Sequence, residues 1–324
     1  MKHLKMVTGA FGFIGSHLVE SLLSTGEGVL AVGHPSIGES YLEDLRRHQN
    51  AKNMVPILMD LRSHDHVISV VKHYRPSTIF HLGALASHRL SLLEPHAYLE
   101  NNVITVLNVL EAARVCEPSP RVLFASSSSI YGDHKPPLRE DLPPRPKGPY
   151  ALSKWIGEEI SKEYARDYGL DVVMTRYFNV VGERCRSNIV FKIFADKIYE
   201  GRPVEVNGKT VNGVFKPATR DFTYVGDVVS GTILTTERGA RGEVYNIGRG
   251  APVSVEDLAV EMMKALGRRV EVIRRELAPH ESHESYSDNS KARAQLGWSP
   301  EVGFEETVKR YANWYLSQRI KTKS

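Results

Sequence analysis

Three glycines constrain this chain before anything else does. Residues 8–15 read TGAFGFIG, set between an apolar run at 4–7 and a helical pattern at 15–24. Gly9, Gly12 and Gly15 allow a tight turn, close approach of a pyrophosphate to backbone N–H groups, and close packing of helix on strand. The N-terminus of the helix then turns its positive dipole end toward the phosphates. A glycine triad alone also occurs in plain tight turns. Here it stands at a strand-to-helix junction at the head of an alternating chain, and that position points to a dinucleotide.

The alternation continues through the first half. Strand-like runs at 4–7, 29–32, 54–59, 78–82, 122–125 and 172–178 are separated by helical patterns at 15–24, 64–74, 95–115 and 150–168. Strands apolar on both faces and separated by helices predict a parallel sheet covered on each side. The expected fold class is therefore α/β, a Rossmann-type doubly wound parallel sheet with a smaller C-terminal substrate-binding lobe. The expected division is 1–178 plus roughly 221–248 for the dinucleotide domain, and 179–220 plus 249–319 for the second lobe. In that lobe helices are expected near 189–200, from about 254 with Ser254 as its cap, and at 304–318. The stretch VNGKTVNGVFKPATRDF between them reads as polar and Gly-containing.

Composition excludes several classes. The 42 Lys and Arg against 38 Asp and Glu leave a formal charge of +4, and basic residues come in pairs at most, so no nucleic-acid stripe forms. No apolar stretch approaches the roughly 18 residues of a membrane span. Cys116 and Cys185 are far apart and suggest neither a disulfide framework nor a zinc site. MKHLKMVTGA passes into a strand without a signal-peptide core, so a cytoplasmic location is expected.

One element of a dinucleotide site is missing. The second strand of such a site ordinarily ends in a carboxylate that binds the adenosine ribose hydroxyls. Here the chain reads VLAVGHPSIG, with Gly33 and His34 at that point. Selection against a 2′-phosphate is weakened, and His34 or Ser36 could donate to one, so these residues leave NAD and NADP both open.

Residues 149–154 read PYALSK, which places Tyr150 and Lys154 on one face at the start of a helix. A tyrosine hydroxyl ionises near ~10 unperturbed, so a base at neutral pH needs a nearby cation. Upstream, LFASSSSIYG puts four hydroxyl side chains, Ser126 to Ser129, between an apolar run and a Tyr-Gly turn.

Together these motifs resemble the extended short-chain dehydrogenase/reductase superfamily, in its NAD-dependent nucleotide-sugar epimerase/dehydratase branch, over nearly the whole length. TGAFGFIG resembles the cofactor loop, MDLRS the segment whose Asp60 and Leu61 flank the adenine, and HLGALAS the strand end lining the cofactor. RYFNVVGER and TRDFTYVGDVV resemble the entry to and the return from the substrate lobe. The resemblance implies cofactor contacts at Gly9, Gly12, Phe13, Ile14, Gly15, His34, Asp60, Leu61, Leu82, Gly83, Ala84, Ala86, Asn101, Tyr150, Lys154 and Phe178. It implies catalysis by Ser127, Tyr150 and Lys154, and substrate contacts at Ser87, Ser128, Ser129, Asn179, Arg186, Asn188 and Arg220. Dehydratases of the family carry an Asp-Glu pair where this chain has Ser128 and Ser129, so an epimerase-type hydroxyl wall is expected instead.

The implied activity is a nucleotide-sugar 4-epimerase of the UDP-glucose/UDP-galactose type, acting through a transient 4-keto sugar with recycled NAD. Arg186 keeps a UDP-glucuronate 4-epimerase or decarboxylase as the alternative, with another NAD(P)-dependent sugar-nucleotide reductase beside it. A non-catalytic dinucleotide-sensing regulator is the reading from a different class. The resemblance implies a homodimer, a UDP-linked substrate, and neither nucleic acid nor membrane as partner. Ala278 stands where a diphosphate-binding arginine is common, with Arg274 or Arg275 as candidate substitutes. His280, Glu281, His283 and Glu284 read as a polar loop and not as a metal site.

Overall fold

The computed structural model describes residues 4–37, 41–278 and 282–321. Seven strands form the main sheet: β1 (Leu4–Thr8), β2 (Gly28–Gly33), β3 (Met54–Leu58), β4 (Thr78–His81), β5 (Arg121–Ser127), β6 (Val172–Tyr177) and β7 (Val244–Ile247). Their order across the sheet is β7-β6-β5-β4-β1-β2-β3, and every neighbouring pair is parallel. Parallel strands need crossovers, and the helices supply them. One face carries α1 (Phe13–Ser24) against α5 (Val225–Arg238). The other carries α2 (His64–Tyr74), α3 (Pro95–Arg114) and α4 (Gly148–Asp167), packed side by side. The strand order reverses between β1 and β4, which opens a crevice at the C-terminal ends of the strands.

The expected elements form with small shifts. Helix α4 begins at Gly148 with Pro149 in its first turn, where a missing N–H costs nothing. Strand β5 runs two residues further than expected and carries Ser126 and Ser127 as its last members. Ser128–Tyr131 then turns as one 3₁₀ segment, with the Ser129 N–H donating to Ser127 Oγ at 3.2 Å. A short helix, His88–Leu93, precedes α3 and was not legible in the sequence.

Beyond β6 the chain builds a second hydrophobic cluster around Phe191, Phe194, Phe222, Tyr311 and Tyr315. Helices Val190–Glu200, Val255–Leu266 and Phe304–Lys321 surround it, and Ser254 Oγ accepts the Asp257 N–H at 2.9 Å as the expected cap. The polar, Gly-containing stretch builds a hairpin: Val204–Val211 and Val214–Pro217 pair antiparallel. No helix among the described residues is long and apolar enough to cross a membrane. Cys116 and Cys185 are both buried free thiols.

Candidate active site

A cavity of about 700 Å³ opens at the crevice between β1 and β4. Its floor is the glycine loop. Gly9 has φ +68°, a conformation that favours glycine, and a Cβ on Gly15 would sit 2.0 Å from Gly9 O. No side chain caps the N-terminus of α1. The loop and the helix end thus form a cradle for an anionic group.

The second wall comes from β4 and β5. Thr8 Oγ1 accepts the Gly83 N–H at 3.1 Å and lies 2.8 Å from His81 Nδ1, which pins the chain as it leaves β4. His81 is wholly buried and held neutral, its pKa lowered to about 3 by desolvation and by the Lys154 charge. Asn102 braces the next segment. Its amide donates to Leu85 O at 3.0 Å and to Ser153 Oγ at 2.9 Å, and its carbonyl accepts Leu85 N–H at 2.8 Å.

Helix α4 brings Tyr150 and Lys154 to this wall. Tyr150 is half-buried on the cavity wall, and desolvation raises its pKa; the Ser127 hydroxyl, hydrogen-bonded to it, and the Arg186 cation pull it back down. Lys154 Nζ donates to Ala125 O at 2.7 Å and lies 5.0 Å from the centre of the Phe124 ring. Desolvation drops its pKa to about 7, with Glu158 one turn along α4 opposing the fall. Among the charges acting on the Tyr150 hydroxyl is that of Arg186, from the loop across the cavity. Tyr98 packs edge-on to Tyr150 with ring centres 6.4 Å apart.

The third wall is the loop after the strand Asn179–Val181. Arg186 Nη1 donates to Ala86 O across the mouth, and Arg184 Nη2 to Glu20 of α1. His17 Nε2 bonds Glu183 O at 2.9 Å and Tyr41 OH donates to Arg184 O at 3.1 Å.

Most sequence-predicted residues meet on these walls. Gly9, Gly12, Phe13, Ile14, Gly15, His34, Leu61, Leu82, Gly83, Ala84, Ala86, Ser87, Asn101, Tyr150, Lys154, Arg186 and Asn188 all line the cavity. Others stand back from it. Ser127 reaches the site through its bond to Tyr150. Ser128 and Ser129 belong to the 3₁₀ turn, with Ser129 Oγ buried and unpartnered. Phe178 packs against Tyr131 in a small core. Asn179 is exposed at the start of its short strand. Asp60 is bound by Arg62, which lowers its pKa to about 2. Arg220 Nη1 donates to Thr219 O and His283 O at 2.8 and 3.2 Å. Arg274 pairs with Glu256 of the helix Val255–Leu266 and Arg275 with Glu205 of the hairpin.

His280 and Glu281 lie outside the described residues. His283 bonds Lys216 O at 3.0 Å and Glu284 sits in a short strand. No group of three or more metal-ligating side chains gathers among the described residues. Sequence reasoning missed Tyr41, Tyr98, Ser126 and Arg184, all on the cavity wall. Arg184 lies two residues before Arg186, but its role depends on a left-handed turn, φ +63°, that no local pattern announces.

Comparison with known proteins agrees with this geometry. A family model described as GDP-mannose 4,6 dehydratase matches residues 6–311. The chain belongs to this family of nucleotide-sugar epimerases and dehydratases. A UDP-glucuronate 4-epimerase of Thermodesulfobacterium geofontis is 33% identical over 321 residues, covering 95% of each chain. The crystal structure of a Thermus thermophilus UDP-glucose 4-epimerase complexed with NAD is 32% identical with a TM-score of 0.85, over 97% of this chain and 99% of that one. A Bacillus cereus UDP-glucuronic acid 4-epimerase, in complex with UDP-glucuronic acid and NAD, is 27% identical with a TM-score of 0.87, over 97% and 99%.

Proposed function

We propose that the chain is an NAD-dependent nucleotide-sugar 4-epimerase and that UDP-glucuronate is its substrate. The observation that carries the reaction type is the meeting of Tyr150, Lys154 and the glycine cradle on one cavity, with Ser127 bonded to Tyr150. The named relatives support the same reading. The residues fit a nicotinamide dinucleotide: the cradle takes a pyrophosphate, and Ser126 Oγ, buried, unpartnered and on the wall, offers it a hydrogen bond. When bound, that group supplies a reversible acceptor for the C4 hydrogen of the sugar.

The chain's own residues handle the proton. Tyr150 Oη takes it from the sugar 4-hydroxyl, with the Ser127 hydroxyl bridging the two, and returns it after the keto sugar has turned over. Arg186 lowers the energy of the phenolate. Lys154, fixed by Ala125 O, holds the cofactor ribose in this reading. Ser128 and Ser129 carry no acid–base pair, which fits epimerisation and not loss of water.

The choice of a uronate rests on Arg186. It lies on the loop facing Tyr150, and its guanidinium closes the mouth by bonding a backbone carbonyl that a substrate carboxylate would outcompete. Ser87 and Asn188 share that wall and supply further donors. Asn179 and Arg220, as sugar and diphosphate contacts, rest on the sequence match, as do the lobe division and the homodimer.

The test is a panel of UDP-sugars read by NMR for new anomeric signals, with kcat/KM for UDP-glucuronate and UDP-glucose in wild type and Arg186→Ala. Wild type is expected to prefer the uronate, and Arg186→Ala, which also withdraws a charge from beside Tyr150, to lose more activity on the uronate than on UDP-glucose. Preference for UDP-glucose, with both sugars equally affected by the substitution, would return the assignment to a neutral hexose.

A further inference from the structure

Helix α3 supports the cavity wall through two buried side chains one turn apart, Tyr98 and Asn102. Asn102 ties together two elements. It holds both backbone groups of Leu85, beyond the exit of β4, and the Ser153 hydroxyl of α4. Tyr98, only 4% exposed, ties the same two elements one turn earlier. Its ring meets that of Tyr150 on α4 edge-on, with centres 6.4 Å apart and planes at 87°, an attractive arrangement for two aromatic rings. Its hydroxyl reaches Ser87, whose side-chain O–H and backbone N–H both favour the phenolate form.

The two rungs differ in what they hold. Asn102 holds backbone and a helix hydroxyl, whereas Tyr98 touches two groups that line the cavity: the base Tyr150 and the donor Ser87. The Arg186 cation acts on both tyrosine hydroxyls, so the four side chains surround one volume. Ser87 Oγ also caps the helix His88–Leu93, accepting the Leu90 N–H at 3.3 Å. With Tyr98 as a second donor to that oxygen, the hydrogen of Ser87 itself is left for a sugar oxygen. The neighbouring tie, Arg186 to Ala86 O, is the one a substrate carboxylate displaces. Tyr98 then remains to link Ser87 to α3.

We propose that Tyr98 is a positioning residue: its hydroxyl fixes Ser87 and its ring fixes Tyr150, and together they set where the sugar lies against the base. The inference rests on the function proposed above, from which it takes the sugar and the base. The hydroxyl serves binding and the ring serves proton transfer, so the two halves of one side chain separate in the kinetics.

Steady-state kinetics of the full chain with UDP-glucuronate test it in Tyr98→Phe, Ser87→Ala, the double variant and Tyr98→Leu. Tyr98→Phe keeps the ring and loses the hydroxyl, so KM is expected to rise about fivefold or more, with a smaller fall in kcat. The double variant should have a KM no higher than Ser87→Ala alone, because the hydroxyl acts through Ser87. Tyr98→Leu, which frees the Tyr150 ring, should lower kcat about tenfold or more, and Tyr98→Phe should recover most of that loss. Calorimetric titration with NAD⁺ should show affinity changing less than KM in every variant. Additive effects of Tyr98→Phe and Ser87→Ala on KM, or a parallel loss of NAD⁺ affinity, would reduce Tyr98 to a packing residue and leave the epimerase reading standing. If wild type turns over no UDP-sugar, both fall.

Discussion

Lys154 is held where its charge is both useful and expensive. It is wholly buried, with Ala125 O as its hydrogen-bond acceptor, and desolvation brings its pKa from 10.5 to about 7. A folded-state value below the unfolded one means the unfolded chain binds the extra proton between pH 7 and 10.5, so stability rises with pH across that window. Below about pH 7 the full cost is present. Lys154→Met should therefore be more stable than wild type at pH 6, by about 2–4 kcal/mol after loss of the Ala125 contact. The difference should narrow steadily between pH 7 and 10, as urea unfolding at several pH values would show. Tyr150→Phe removes only a hydroxyl; turnover should fall by about two to four orders of magnitude. Nucleotide affinity, measured by titration, should stay put, because the ring contact with Tyr98 is kept. Both residues were legible from PYALSK, since their helical spacing is local. Arg186 as the cation beside Tyr150 was not, because that proximity is made by a loop 36 positions away in the chain.

At the scale of elements, the serine run shows why the sequence alone was ambiguous. Ser126 and Ser127 end a strand and Ser128 opens a turn, so one low-propensity stretch serves two conformations. What fixes the turn lies underneath it. Arg176 of β6 pairs with Glu158 of α4 at 2.7 and 3.0 Å, donates to Tyr131 OH at 2.9 Å and stacks on its ring, while Tyr131 OH donates to Asn246 Oδ1 at 2.7 Å. Both charged side chains are almost entirely buried. Removing one partner leaves the other charge uncompensated, so Glu158→Ala should cost about 3–5 kcal/mol, whereas Glu158→Leu with Arg176→Met together should cost far less. A double-mutant cycle in urea would measure the difference. The hairpin after Val204 was missed for another reason. Asn212 and Gly213 have φ +52° and +77°, the two left-handed residues of a two-residue hairpin turn, and the Asn-Gly pair signalled it. The polar strands around it, exposed along one face, lacked the apolar alternation that identifies strands by periodicity.

The whole molecule follows from where the sheet reverses. Alternating runs determine the parallel order of β1 to β6, because right-handed crossovers leave few other arrangements. The return of β7 to the sheet edge beside β6, after some 60 residues of other structure, depends on contacts that no local pattern records. The cavity is likewise a product of long-range assembly, since its walls come from the head of the chain, from α4, and from the 182–188 loop. That loop is tied to α1 by Arg184–Glu20 and His17–Glu183 and to the β4 exit by Arg186–Ala86. A nucleotide seated between these walls touches all of them, so its binding energy should stabilise the chain as one unit. At one hundred times its Kd, the dinucleotide should raise the unfolding free energy by about 2.7 kcal/mol. Fluorescence and circular dichroism should then shift together along the urea axis. If only the first of two transitions moved, the 182–188 loop would not be part of the nucleotide site, and the proposed role of Arg186 would lose its structural basis.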